Sequence, residues 1–236
     1  MDIAEKVLRA KTDFDDVYEA GKKAEYDVLW DSLQNYGNRT DYTNAFTNWA
    51  GANEINPKYI INTITLNSMF SMCLKLNKLP TITCANANGR FNNCYGVFSS
   101  CVQLTSVDFD VMNGATTSTS WTAAFHDCVN LKSIKKLGVL ESQAFSSNTF
   151  NNCKALEDIT IDGTIGQNGF DIHYSTKLTA KSLYSIVDAL STTKTGLTIT
   201  LPTTAEANYN ANPPENALAT WAELVATKSN WTIAYA

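Results

Sequence analysis

One pattern of apolar positions occurs four times between residues 70 and 159. Each copy has a phenylalanine, a cysteine three residues later, a leucine after three more and an aliphatic residue after another three. The positions that we assign to the repeat core are Phe70, Cys73, Leu76, Phe98, Cys101, Leu104, Phe125, Cys128, Leu131, Phe150, Cys153 and Leu156. The four phenylalanines are 28, 27 and 25 residues apart, so the pattern repeats at the scale of a whole structural unit.

A period of about 20–29 residues is typical of leucine-rich repeats. One such unit cannot bury its apolar face alone, so each copy has to pack against its neighbours. The predicted fold class is therefore an α/β repeat, a short leucine-rich-repeat solenoid with a helical N-terminal segment and an αβαβ C-terminal cap. The solenoid should occupy residues 41–178, with four clear coils and degenerate terminal ones. A fifth, altered copy is expected at Ile172, Ser175 and Leu178.

The N-terminal segment, residues 1–40, has the apolar spacing of amphipathic helices. Two interpretations remain open for it. The segment caps the exposed end of the solenoid, or it attaches the chain to another protein through an apolar surface. The residues proposed for attachment are Val7, Leu8, Phe14 and Tyr18.

The C-terminal segment, residues 179–236, changes its period and predicts alternating helices and strands. Helical spacing covers residues 179–190 and 213–228, and short β-rich runs cover residues 197–201 and 231–234. Pro213 and Pro214 suit the first turn of the second helix, because proline lacks an N–H that the first turn leaves unpaired in any case. We expect this segment to close the apolar end of the stack.

Outward positions on the predicted strands carry mixed charge. Alternation along residues 105–110 and 157–162 predicts strands whose apolar side chains face inward. The column aligned with Asp108 continues with Lys135 and Thr160. A glycosidase needs two carboxyl groups about 5–10 Å apart, and a mixed column does not supply them. We therefore predict a chain without enzymatic activity, with a tail-associated polysaccharide depolymerase as one alternative.

Cysteine and histidine positions predict neither disulfides nor a metal centre. Four of the six cysteines share one phase of the repeat, which indicates inward, reduced thiols. Cys84 and Cys94 fall outside that phase, and Cys94 is a candidate for exposure. The run His126-Asp127-Cys128 lacks the four convergent ligands of a structural zinc site. No cofactor is predicted.

Three aromatic side chains are candidates for stacking on sugars: Tyr95, Trp121 and Tyr174. Each lies in or beside a stretch between repeats. The alternative for each is packing onto the adjacent loop. The ligand-binding face therefore stays unassigned.

Composition and charge limit the partners. The formal charge is −5 and charged residues make up 17% of the chain, so a concentrated basic patch for nucleic acid is not expected. No run of about 18 apolar residues predicts a membrane span. The first residues lack the basic and apolar regions of a secretory signal, so we expect a protein that is not exported by that route.

The repeated phrase, as in the copy that starts at Phe125, resembles the BspA-like class of leucine-rich repeats. That class occurs in bacterial surface proteins and in proteins encoded by phages and prophages. A second resemblance covers residues 11–31 and 37–46, which look like the N-terminal block of leucine-rich-repeat proteins from tailed-phage structural regions. The C-terminal helix and the closing residues 230–233 are similar to the usual end of those proteins.

These resemblances imply a virion structural protein, displayed on tail or capsid, that is assembled in the host cytoplasm. The expected partners are other virion proteins through residues 1–40, and bacterial surface glycan or protein through the solenoid, with a homo-oligomer as a further option. The lack of a signal favours this hypothesis over the alternative of a bacterial cell-surface adhesin or ligand-binding module. The resemblance carries no catalytic residue to this chain.

Overall fold

The structure is a computed structural model that describes residues 43–44, 46–48, 60–63, 65–79, 81–84, 90–91, 93–109, 117–118, 120–142 and 145–236. The attachment residues Val7, Leu8, Phe14 and Tyr18, and the helices predicted for residues 1–40, lie outside the described residues. The strands are β1 Ile60–Thr63, β2 Thr81–Cys84, β3 Arg90–Phe91, β4 Ser106–Asp108, β5 Thr117–Ser118, β6 Ser133–Val139, β7 Asp158–Gly163, β8 Leu197–Leu201 and β9 Trp231–Tyr235. The helices are α1 Ala180–Asp188, α2 Ala205–Ala211 and α3 Trp221–Ala226.

All strand pairs among these elements are parallel. β1 pairs with β2, and β8 pairs with β9. The central sheet has the order β3, β5, β6, β4, with β7 on the other edge of β6. Its register follows the repeat, since Ile134 is the partner of Val107 on β4 and of Ile159 on β7.

The predicted leucine-rich-repeat solenoid is not the fold of the described residues, because their strands divide into separate short sheets of two, five and two strands. Strand length explains the difference. Several strands have only two or three residues, and so few ladder hydrogen bonds do not carry one sheet through every repeat. The prediction of a helical N-terminal segment concerns residues outside the described part of the chain.

The predicted αβαβ order at the C-terminus is also wrong, since the observed order is α1, β8, α2, α3, β9. The helix expected over residues 213–228 begins only at α3. Thr220 forms a capping box there: its hydroxyl accepts the Glu223 N–H, and the Glu223 carboxylate accepts the Thr220 N–H. This reciprocal pair satisfies two N–H groups that an uncapped start would leave unpaired, so the helix starts at Trp221 rather than at the prolines.

A row of phenylalanine rings runs through the core, stacked up to Phe150 and tilted at its last pair, and we call this set the phenylalanine ladder. Its members are Phe46, Phe70, Phe98, Phe125, Phe150 and Phe170, each at most 2% exposed. Successive ring centroids are 5.5, 5.7, 5.7, 5.6 and 5.3 Å apart. All twelve residues assigned to the repeat core are buried. These spacings place each ring of the ladder directly against the next one.

A row of thiols runs beside the rings, and each thiol donates to a backbone carbonyl of the preceding copy at 3.0 Å. The pairs are Cys73 to Phe46, Cys101 to Phe70, Cys128 to Phe98 and Cys153 to Phe125. Burial raises the pKa of Cys101 and Cys128 well above the usual range, and that of Cys153 to about 12. Cys101, Cys128 and Cys153 therefore stay protonated at neutral pH, and none of the four buried cysteines of the row forms a disulfide.

The backbone repeats as well, with left-handed residues two positions before and two after a phenylalanine. After the ring they are Asn48, Met72, Ser100, Asp127 and Asn152, with φ between 59° and 65°. Before the ring they are Asn44, Ser68, Gly96 and Ala123, with φ between 49° and 57°. Asparagine and aspartate tolerate this conformation better than most residues, which explains why they are frequent in these two columns.

The C-terminal elements are attached to the repeats by hydrogen bonds from the loop after α1. The Glu141 carboxylate accepts from the hydroxyls of Ser191 at 2.6 Å and Thr193 at 3.0 Å, and these two bonds lower its pKa. The buried Lys228 ammonium donates to the carbonyls of Asp188 and Leu190 at the end of α1. A cation at this end of a helix is favourable because the unpaired carbonyls carry partial negative charge.

Candidate functional site

An open groove of about 760 Å³ lies on the outward surface of β6 and β7, beside the start of α1. Its polar lining includes Lys135, Lys136, Asp158, Thr160, Asp162 and Lys181. Such a volume falls within the range of about 300–1,000 Å³ that is usual for ligand pockets. Sequence reasoning placed Asp108, Lys135 and Thr160 in one outward column, but it identified no groove.

A β-bulge gives the β6 wall two neighbouring lysines. Successive side chains of a regular strand point to opposite faces, so Lys135 and Lys136 should not both face outward. The register between β6 and β7 shifts between Ile134 and Leu137, and Lys136 has φ 54°. The Thr160 hydroxyl accepts the Lys136 N–H at 2.8 Å. Both lysines are consequently exposed while the flanking apolar residues remain buried.

Helix α1 forms the opposite wall because its serines pair with the edge of β7. The Ser182 hydroxyl accepts the Ile159 N–H at 2.9 Å and donates to the Glu157 carbonyl at 3.1 Å. The Ser185 hydroxyl accepts the Ile161 N–H at 2.9 Å. The helix thus takes the place of a further strand, and Lys181 in its first turn lines the groove.

Charge alternates across the groove from β4 to α1. Asp108 on β4 and Lys135 on β6 are register partners and form an ion pair at 3.1 Å. On β7, Asp158 accepts a hydrogen bond from the Thr179 hydroxyl at 3.0 Å, and Asp162 is exposed. The predicted mixture of acidic and basic groups on this face is therefore present, and Lys181 adds a further cation on the far wall.

The carboxylates of the groove do not have the spacing of a glycosidase pair. Asp158 and Asp162 lie four residues apart on one strand, so the strand rise separates their Cα atoms by about 13 Å. Retaining and inverting enzymes place their two carboxyl groups about 5–10 Å apart. Among the described residues, no group of three or more histidine, cysteine or acidic side chains could hold a metal ion.

Two other residues that the sequence marked as exposed or out of phase are buried. Trp121 is fully buried and donates from Nε1 to the Gly138 carbonyl at 2.9 Å, so it is not available to stack on a sugar. Cys94 is buried as well. Leu66, Cys94 and Trp121 each stand four residues before a ladder phenylalanine, which makes this position part of the repeat. An alignment of the copies on their phenylalanines would have predicted that this position is buried.

The remaining aromatic candidates are exposed but lie outside the groove. Tyr95 is 49% exposed and Tyr174 is 36% exposed. The Tyr174 ring packs at 4.0 Å against His173, whose Nδ1 lies 2.6 Å from an oxygen of Asp171. The side chain of Cys84 is outside the described part of the structure. No helix in the described residues is long and apolar enough to cross a membrane.

Comparison with protein-family models, with curated proteins and with solved structures finds no match for this chain. The resemblance to BspA-like repeats therefore remains an expectation from the repeated phrase alone.

Proposed function

We propose that this chain is a non-enzymatic structural and interaction protein of a phage particle, on tail or capsid, and that its outward strand surface contacts the host cell. The observation that carries the interaction half of this proposal is the groove between β6, β7 and α1. It combines an open volume with cations and carboxylates held on two paired strands and a helix. Rigid, preorganised polar groups bind with less loss of conformational entropy than mobile ones.

The phage half of the proposal is supported by the sequence. The repeated phrase and the segments 11–31 and 37–46 resemble proteins of tailed-phage structural regions. The long separation between Asp158 and Asp162 supports contact without hydrolysis over the alternative of a polysaccharide depolymerase. The alternative of a bacterial surface adhesin would use the same groove, so the location of the chain has to separate the two hypotheses.

Location on particles tests the phage half directly. Particles purified from the source would be labelled with an antibody to this chain and examined by cryo-electron microscopy. We expect density at the tail tip or as a capsid projection. Labelling of intact cells that release no particles would instead favour the bacterial adhesin.

Adsorption tests the contact with the host. The purified chain, added in excess, should reduce adsorption of the particles to host cells because it occupies the same surface sites. Release of new reducing ends from capsule or wall polysaccharide would contradict the non-enzymatic assignment.

A further inference from the structure

We propose that the groove binds an anionic polyol, that is, a chain with many hydroxyl groups and with carboxylate or phosphate groups along it. This inference rests on the proposed contact with a host-surface glycan and names its chemical class. Three lysines line one groove from two walls in a chain whose net charge is −5, and one of them, Lys135, is paired with Asp108.

The bulge on β6 is the first argument for an anionic ligand. A regular strand would turn one of Lys135 and Lys136 towards the core, where an ammonium group is costly. The left-handed Lys136 and its hydrogen bond to Thr160 keep both cations on the groove side. Bulges that redirect side chains are frequent next to binding sites.

The order of the charges is the second argument. Asp158 and Asp162 stand on β7, between the lysines of β6 and Lys181 of α1. Carboxylates accept hydrogen bonds from hydroxyl groups, and ammonium groups donate to carboxylates and phosphates. A ligand that crosses the groove therefore meets acceptors for hydroxyl groups along β7 and donors for anionic groups on both walls.

The lack of rings in the groove is the third argument. None of the described residues that line it is aromatic, so stacking on the apolar face of a neutral sugar is not available there. Recognition then depends on charge-assisted hydrogen bonds, which are stronger than neutral ones. A neutral glucan should accordingly bind weakly.

Calorimetric titration of the full chain with three soluble oligomers of similar length tests this assignment. The probes are oligogalacturonate for carboxylate, glycerol phosphate oligomers for phosphate, and dextran for a neutral polyol. We expect at least one anionic probe to bind about tenfold or more tightly than dextran, with affinity that falls as salt rises from about 50 to about 500 mM. The two anionic probes distinguish the sources of the charge.

Paired lysine variants locate the site. Lys136→Gln combined with Lys181→Gln should weaken anionic binding at least about tenfold. The matched pair Lys154→Gln with Lys177→Gln makes the same change of charge at exposed positions outside the groove and should change affinity less than about twofold. Lys136→Arg with Lys181→Arg keeps the charge and should retain binding, which also shows that the positions tolerate substitution.

Equal effects of the two glutamine pairs, or dextran binding as tight as that of the anionic probes, would overturn the assignment. These outcomes are separable from failure of the proposed function. A chain that is present on particles but binds without its groove lysines refutes the ligand class alone. A chain that is absent from particles but shows the lysine dependence refutes the phage location alone.

Discussion

At the scale of single residues, the repeated cysteine supplies both apolar volume and a hydrogen bond. Each thiol of the row donates to the phenylalanine carbonyl of the preceding copy, and Ser175 in the last copy donates instead to the Cys153 carbonyl at 3.0 Å. A hydroxyl can therefore replace the thiol where the carbonyl lies within reach. The difference between the two groups is ionisation, because a thiol titrates at alkaline pH and a hydroxyl does not.

Substitutions at Cys128 separate the hydrogen bond from the ionisation. Cys128→Ala removes the bond to the Phe98 carbonyl and should lower the free energy of unfolding by about 1–2 kcal/mol at pH 7. Cys128→Ser keeps a donor and should lose less. Urea unfolding of both variants and the parent chain at pH 7 measures this difference. An alanine variant as stable as the serine variant would show that the bond contributes nothing.

The same variants predict the response to alkali. The folded-state pKa of Cys128 is raised, so the folded chain keeps a proton that the unfolded chain loses above about pH 8.5. Stability is then complete below that pH and falls as pH rises, by up to about 1.4 kcal/mol per pH unit for each such thiol. Both Cys128 variants should gain stability relative to the parent chain between about pH 9 and 10.5.

Met72 is the residue least suited to its backbone conformation. It has φ 61° and is 48% exposed, at a position where other copies have asparagine, serine or aspartate. Met72→Asn should raise the free energy of unfolding by about 0.5–1 kcal/mol, because asparagine tolerates the left-handed region. Met72→Ala is the matched control, since it also removes the exposed side chain. If Met72→Asn and Met72→Ala raise the free energy of unfolding equally, the gain comes from removal of the exposed apolar side chain and not from the backbone conformation.

At the scale of elements, the junction between β7 and α1 decides where the sheet ends. An unpaired strand edge is open to pairing with another chain. Here Ser182 and Ser185 accept the N–H groups of Ile159 and Ile161, so the helix covers the edge that a further strand would have used. The same contact forms one wall of the groove, and its integrity is needed for the proposed binding site.

Ser182→Ala tests this edge contact. The variant leaves the Ile159 N–H without its acceptor, and the free energy of unfolding should fall by about 1–3 kcal/mol. Ser185→Ala, at a less buried position, should cost less. Hydrogen exchange at the Ile159 and Ile161 amides reports each change locally. Unchanged exchange at Ile159 in Ser182→Ala would contradict the assigned bond.

At the scale of the whole molecule, the phenylalanine ladder joins sheets that do not pair with each other. Within the part of the chain that the structure describes, β1 and β2 share no strand pair with the central sheet, yet Phe46, Phe70 and Phe98 stack without a break. Backbone hydrogen bonds join the same copies, since the Phe70 N–H donates to the Val97 carbonyl at 2.9 Å and the Phe98 N–H to the Ala124 carbonyl at 2.9 Å. Ring packing and these bonds together couple the copies. Arrays of this kind are stabilised by the interfaces between neighbouring units.

Phe98→Ala tests this coupling because it removes a ring from the middle of the ladder. A cavity of that size should cost about 3–5 kcal/mol, and Phe98→Leu should cost less. If the copies unfold together, amide exchange should accelerate to a similar extent near Cys73 and near Cys153. Acceleration confined to the copies that flank Phe98 would show that the array unfolds in parts.

Much of the core was predictable from the sequence, because burial follows the period of the repeat. The twelve repeat-core residues, helix α1 and strand β8 lie where the apolar spacing placed them. The burial of Cys94 and Trp121 was not predicted, because the apolar position four residues before the phenylalanine becomes evident only when the copies are aligned with one another. Helix α2 was not predicted, and the predicted start at the prolines was wrong because the Thr220 capping box begins α3 at Trp221.

Local sequence pattern and tertiary structure determined different features of this protein, for a physical reason. Local spacing determined which side chains enter the core, since a periodic chain can bury its apolar residues only by stacking its copies. Tertiary structure alone decided how the strands group into sheets and where β6 bulges. It also decided that Lys181 lines the same groove as Lys135 and Lys136. Those outcomes depend on strand length and register against neighbours far along the chain, and no local pattern encodes them.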